Sequence, residues 1–155
     1  MTYSDSSIDF PHAPGPPTIL VVENDPVLRE LLKSIVETAR YICVEAREGQ
    51  EALSIIQRHS TICLILSDFQ MPEMDGLQLL QTLKQTQKTR GIPFILVTGN
   101  SSIFLRKQAM RDGAFAILHK PFTQHELFHI LNRAISLQCK IPNFLESLAL
   151  DEVRS

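Results

Sequence analysis

Residues 18–39 read TILVVENDPVLRELLKSIVETA, and the hydrophobic period changes within them. TILVV at 18–22 is an unbroken β-rich apolar run. Over 26–39, by contrast, Val27, Leu28, Leu31, Leu32, Ile35, Val36 and Ala39 recur on one face of a helix. Asp25 suits the N-cap and Pro26 the first helical position, so a strand passes into a helix through three polar residues. The pattern then repeats: YICVEA with 50–58, ICLILS with 75–87, PFILVT with 101–111, and FAILH with 123–138. Strands that are apolar throughout belong to a parallel sheet covered on both faces, and right-handed crossovers leave few ways to connect them. The expected fold is therefore α/β, a doubly wound five-stranded parallel sheet in the order 2-1-3-4-5.

The 155 residues suffice for one core, placed at 18–139. MTYSDSSIDFPHAPGPP, residues 1–17, holds four of the nine prolines and reads as a disordered leader. The tail at 140–155 carries Asn143 and Glu146 at capping-box spacing, opening a possible short helix with Phe144, Leu145, Leu148 and Ala149. That helix could dock on its own domain, on a partner or on a second copy, or simply fray. With 15 Lys+Arg against 17 Asp+Glu and no basic run, direct nucleic-acid binding is not expected. Cys43, Cys63 and Cys139 are odd in number and set among apolar residues, as for buried thiols in a reducing compartment. Apolar runs are too short for a signal peptide or a membrane span, so a soluble cytoplasmic protein is expected.

In such a sheet, ligands gather beyond the carboxyl ends of the strands. Those ends carry Glu23-Asn24-Asp25, Ser67-Asp68, Thr98-Gly99 and His119-Lys120-Pro121. Converging carboxylates repel one another unless a cation sits among them, and hard oxygen ligands suit Mg²⁺ better than zinc. Lys120 and Thr98 would complement phosphoryl oxygens, leaving Asp68 as a carboxylate able to attack phosphorus. Each residue also has a plainer reading: Thr98 as a strand residue, Lys120 as a solvated cation, Asp68 as a turn residue.

The segment Asp68-Phe69-Gln70-Met71-Pro72-Glu73-Met74-Asp75-Gly76 resembles the D-x-x-M-P-x-M-D-G signature of response-regulator receiver domains. LVVEND at 20–25, Thr98, Asp112-Gly113-Ala114 and Lys120-Pro121-Phe122 extend the resemblance over 18–139. It implies a flavodoxin-like three-layer sandwich in which Asp68 accepts a phosphoryl group from a sensor histidine kinase or a histidine phosphotransfer protein. Mg²⁺ would be held by Glu23, Asn24, Asp68 and the backbone carbonyl of Gln70. Thr98 and Lys120 would hold the phosphoryl oxygens, and the Lys120-Pro121 bond would be cis. Asp75 and Gly76 are read as structural, a cap and a tight turn.

Two positions depart from the family pattern. Asn24 stands where a second carboxylate is usual, which implies weaker metal binding unless Asp25 turns inward. Ile117 stands where an aromatic switch residue is frequent, so Thr98 and the 98–104 loop would carry more of any output. The expected product is a stand-alone phosphoacceptor switch that phosphorylates itself, has no external product and signals to an unnamed protein, with a homodimer left open. Rival readings are a phosphorylation-independent interaction module, a phosphate shuttle in a relay, and a zinc hydrolase. The last rests on His125-Glu126-Leu127-Phe128-His129, which spells H-E-x-x-H. However, Leu127, Ile130, Leu131, Ala134 and Ile135 form the apolar stripe of that helix, which leaves both histidines on a solvated face.

Overall fold

The computed structural model describes residues 15–137. Most of the expected leader, Cys139 and the tail at 140–155 therefore lie outside the described residues. Strands β1 (Thr18–Val22), β2 (Ile42–Ala46), β3 (Ile62–Asp68), β4 (Phe94–Thr98) and β5 (Ala116–His119) form one sheet in the order β2-β1-β3-β4-β5. Every pairing is parallel. They alternate with helices α1 (Pro26–Thr38), α2 (Gly49–Arg58), α3 (Gly76–Lys84), α4 (Ile103–Arg111) and α5 (Gln124–Leu137). This is the doubly wound order that the alternation of runs implied.

Side chains of a strand alternate between faces, so the sheet feeds two cores. Leu20, Val22, Ile65, Phe94 and Leu96 pack with Ala52, Ile55, Leu79 and Leu83 from α2 and α3. Ile19, Val21, Leu64, Leu66 and Val97 pack with Leu32, Ile35, Val36, Leu127 and Leu131 from α1 and α5. Burial on both faces is why these strands read as continuous apolar runs.

Several local expectations are corrected. Val27 and Leu31 are 78% and 51% exposed, so the buried stripe of α1 narrows to Leu32, Ile35 and Val36, with Leu28 at its margin. Seven apolar positions span a wider arc than one sheet face can cover. α3 stops at Lys84, short of 87, because Thr89 Oγ1 donates to Leu83 O at 2.5 Å and takes a carbonyl from the helical ladder. α4 begins at Ile103, later than 101, because Ser102 caps it, its Oγ accepting from Leu105 N–H. Cys43 and Cys63, expected as buried thiols, are half-buried; for Cys43 the reason is its place on the edge strand β2. Burial still pushes the Cys43 thiol up to about 12.

Gly76 proves to be a matter of close approach, not of a tight turn. A Cβ there would stand 2.4 Å from the carbonyl oxygen of Asp68 and 3.0 Å from Phe69 Cα, both backbone atoms that cannot swing aside. Gly76 N–H also donates to Phe69 O at 2.8 Å, clamping the start of α3 onto the end of β3. Gly76→Ala is therefore expected to destabilise the protein by about 2 kcal/mol or more. Gly91→Ala, with nothing within 4 Å of the new Cβ, is expected to change little. Urea unfolding of both variants checks this.

Candidate functional site

The carboxyl ends of β1, β3, β4 and β5 each deliver one polar side chain to the same edge of the sheet. Asp68, the last residue of β3, is 5% exposed; Thr98, the last of β4, is 2% exposed; Glu23, one residue past β1, is 2% exposed. Lys120 follows β5, and its N–H donates to Thr98 O at 2.9 Å. Its ammonium Nζ donates to Asp68 Oδ1 at 2.7 Å and lies 3.7 Å from Glu23 Oε1. The Lys120-Pro121 peptide bond is cis.

One ammonium thus faces two carboxylates. Glu23 Oε2 accepts from Asp25 N–H at 3.0 Å, but Oε1 is buried with no hydrogen-bond partner among the described residues. At 3.7 Å the lysine gives it charge without a hydrogen bond. Burial pushes the Glu23 carboxyl above its ordinary 4.5; the Asp25 hydrogen bond and the Lys120 charge oppose this, and the neighbouring Asp68 adds to it.

The remaining predicted residues fall around this core. Asn24 is exposed. Asp25 Oδ1 accepts from Val27 N–H at 3.0 Å as the cap of α1, so it does not turn inward to replace the missing acid. Thr98 Oγ1 accepts from Asn100 N–H at 2.9 Å, which leaves the hydroxyl proton free for a further acceptor. Gln70 lies two residues beyond Asp68, exposed, in a loop where it lines an open cavity of about 400 Å³ with Phe69, Met71, Pro72 and Asp75. That loop is seated by Met71 and Met74, which pack on the α2–α3 core, and closed by Asp75, which forms a capping box with Gln78. Ile117 is half-buried on β5 and packs against the same core. His125 and His129 are exposed on α5, and among the described residues no group of three or more His, Cys, Asp or Glu could hold a metal ion. The exposure of both histidines agrees with the solvated face read from the apolar stripe of that helix.

A divalent cation would accordingly rest on two protein carboxylates, Glu23 and Asp68, completed by amide, carbonyl, water or phosphoryl oxygens. That all-oxygen set suits Mg²⁺, which keeps several waters, and Glu23 Oε1, which accepts no hydrogen bond among the described residues, would give it a direct point of attachment. Sequence reasoning found the acids, the hydroxyl and the lysine. It missed the orphaned oxygen and the bond from Arg29 Nη1 to Glu23 O at 2.8 Å. The first follows only from burial. The second was foreshadowed by a cation in the first turn of α1, where the helix dipole disfavours one.

The profile of the response regulator receiver domain matches residues 19–132. The chain belongs to that family. The receiver chain is 35% identical over 130 residues to histidine kinase P4 of Formosa agariphila, covering 81% of this chain and 9% of that protein. It is 33% identical over 120 residues to the transcriptional regulatory protein GlrR of Escherichia coli, covering 77% of this chain and 26% of that one. Among solved structures, the receiver domain of the sensor histidine kinase PA1611 from Pseudomonas aeruginosa, with a magnesium ion coordinated in its active-site cleft, matches with a TM-score of 0.72 at 27% identity. That match covers 79% of this chain and 99% of that one. The receiver fold is thus common to parts of sensor kinases and of regulators. No helix among the described residues is long and apolar enough to cross a membrane.

The raised Glu23 carboxyl has a pH signature. Below 4.5 it is protonated in both folded and unfolded chains, and as pH climbs through its raised folded value the stability it contributes is lost. In metal-free buffer, Glu23→Gln is expected to be more stable than wild type at pH 7 and to lose that advantage near pH 4, read by urea unfolding at both values.

Proposed function

We propose that this receiver is a phosphoacceptor switch in which Asp68 takes a phosphoryl group from the phosphohistidine of a sensor kinase or of a histidine phosphotransfer protein. The observation that carries this reading is the Lys120 ammonium 2.7 Å from Asp68, with the Thr98 hydroxyl at the neighbouring strand end and a buried Glu23 oxygen that accepts no hydrogen bond among the described residues. A carboxylate oxygen of Asp68 attacks phosphorus, the new O–P bond forms as the N–P bond breaks, and the histidine nitrogen leaves with the electron pair. Lys120 and the free proton of Thr98 meet the oxygens that gain charge during transfer. Glu23, Asn24, Asp68 and the backbone carbonyl of Gln70 would hold Mg²⁺, which when bound neutralises charge on the transferring group. Asp68 is itself the acceptor, so the protein catalyses only its own modification.

Engagement of Thr98 by the phosphoryl group pulls on a chain of bonds. Thr98 Oγ1 holds Asn100 N–H, Asn100 Oδ1 holds Ser102 N–H at 2.8 Å, and Ser102 Oγ caps α4. Ile117 offers no ring to follow the threonine, so the changed surface presented to a downstream protein lies at this loop and the start of α4. The cytoplasm, where kinase receivers meet their phosphohistidines, is the compartment that fits. A second reading, an interaction module indifferent to phosphate, draws support from the neutral, exposed Asn24.

Intact-mass spectrometry after incubation with acetyl phosphate separates the two. Wild type with Mg²⁺ is expected to gain one phosphoryl group, and Asp68→Asn, or omission of the metal, to abolish the gain. No adduct under any metal condition would favour the phosphate-independent module.

A further inference from the structure

The acid loop after β1 is braced from an unexpected side. Glu23 is where the chain leaves the sheet, and all its polar groups but Oε1 are held by hydrogen bonds. Its N–H donates to Ala46 O of β2 at 3.0 Å, its Oε2 accepts from Asp25 N–H, and its carbonyl accepts from Arg29 Nη1 at 2.8 Å. Because the peptide unit is planar, the guanidinium that fixes the Glu23 carbonyl also fixes the Asn24 N–H and the direction in which Asn24 departs.

Arg29 stands in the first turn of α1, where a cation opposes the helix dipole, so helix stability does not account for it. Long side chains on a helix lean back toward its N-terminus, and this one reaches back to the end of β1. Its side chain is 16% exposed, and its Nε lies 3.6 Å from Glu45 Oε1. Glu45 pairs with Val21 in the β1–β2 register and shares its other oxygen with Lys33 at 3.5 Å. β2 therefore steadies the guanidinium while its far end grips the site.

We propose that Arg29 is a positioning residue of the phosphoryl-transfer site: it holds the Glu23–Asn24 peptide so that the Glu23 carboxylate and the Asn24 amide are presented together to a divalent cation. This rests on the phosphoacceptor reading for the identity of the cation. A purely structural role, tying α1 to β2 through Glu45, makes a different demand. Glu45→Gln would then be as harmful as Arg29→Met, whereas a positioning role requires the bond to the carbonyl and not the ion pair.

The test uses the full chain and Mn²⁺ as a paramagnetic stand-in for Mg²⁺, with free Mn²⁺ read by electron paramagnetic resonance and thermal unfolding followed in parallel. Arg29→Met is expected to weaken Mn²⁺ binding about tenfold, the scale at which groups that orient metal ligands act. Arg29→Lys, which keeps one donor, should fall between it and wild type. Glu45→Gln should stay within about twofold of wild type, as an ion pair at 3.6 Å without a hydrogen bond, its acid 34% exposed, contributes little. Equal Mn²⁺ binding in wild type and Arg29→Met, including none in either, overturns the proposal, and so does an equal loss in Glu45→Gln. Should Arg29→Met fail to fold, Arg29→Lys against Glu45→Gln decides on the same terms. An Arg29-dependent Mn²⁺ site on a chain that never takes a phosphoryl group would sink the phosphoacceptor reading and leave standing only the role of Arg29 in presenting Glu23 and Asn24 to the cation. Phosphoryl uptake with Arg29-independent Mn²⁺ binding would do the reverse.

Discussion

One lysine ammonium shared by two buried carboxylates is the interaction on which the site depends. Asp68 and Glu23 are 5% and 2% exposed, and ionised carboxylates at such depth are costly unless a positive partner and hydrogen bonds offset the lost water. Burial raises the Glu23 carboxyl, and Lys120, which meets Asp68 at 2.7 Å but stands 3.7 Å from Glu23, offsets only part of that rise. The fold exists around this arrangement in a definite sense. β1, β3, β4 and β5 must be successive neighbours for these groups to converge, and the order β2-β1-β3-β4-β5 makes them so.

The same geometry explains where movement is cheap. Ala109 is the only buried residue of α4, and Ile103 and Phe104 at its start are 66% and 85% exposed. Its far end is held more firmly: Asp112 accepts from Gln81 Nε2 at 2.8 Å and from Gln108 Nε2 at 3.0 Å. On the proposed phosphoacceptor reading, a helix tied at its C-terminus and linked at its N-terminus to Thr98 by short polar bonds would pivot when that threonine changes partner.

Much of this was legible in the sequence because it rests on period and on strand-end chemistry. Five apolar runs alternating with helical patterns gave the sheet order, and Glu23, Asp68, Thr98 and Lys120 announced themselves by standing just beyond those runs. What could not be read depended on distance. The apolar arc of α1 gave no sign that Val27 and Leu31 would stay in water, since period fixes a face but not the width that a sheet can cover. Gly76 looked like a turn glycine until the Asp68 carbonyl was seen to occupy the space of its Cβ. The exposure of His125 and His129 was legible, because the stripe at Leu127, Leu131, Ala134 and Ile135 turns both histidines outward.

The most direct test of the central arrangement is a crystal structure of the protein with beryllofluoride, a phosphoryl mimic, and Mg²⁺. The expected result is the anion bonded to Asp68, with Lys120 Nζ and Thr98 Oγ1 in hydrogen-bond contact and the metal against Glu23 Oε1. An anion bound elsewhere, or Lys120 and Thr98 turned away from it, would contradict the reading of these strand ends as one phosphoryl site.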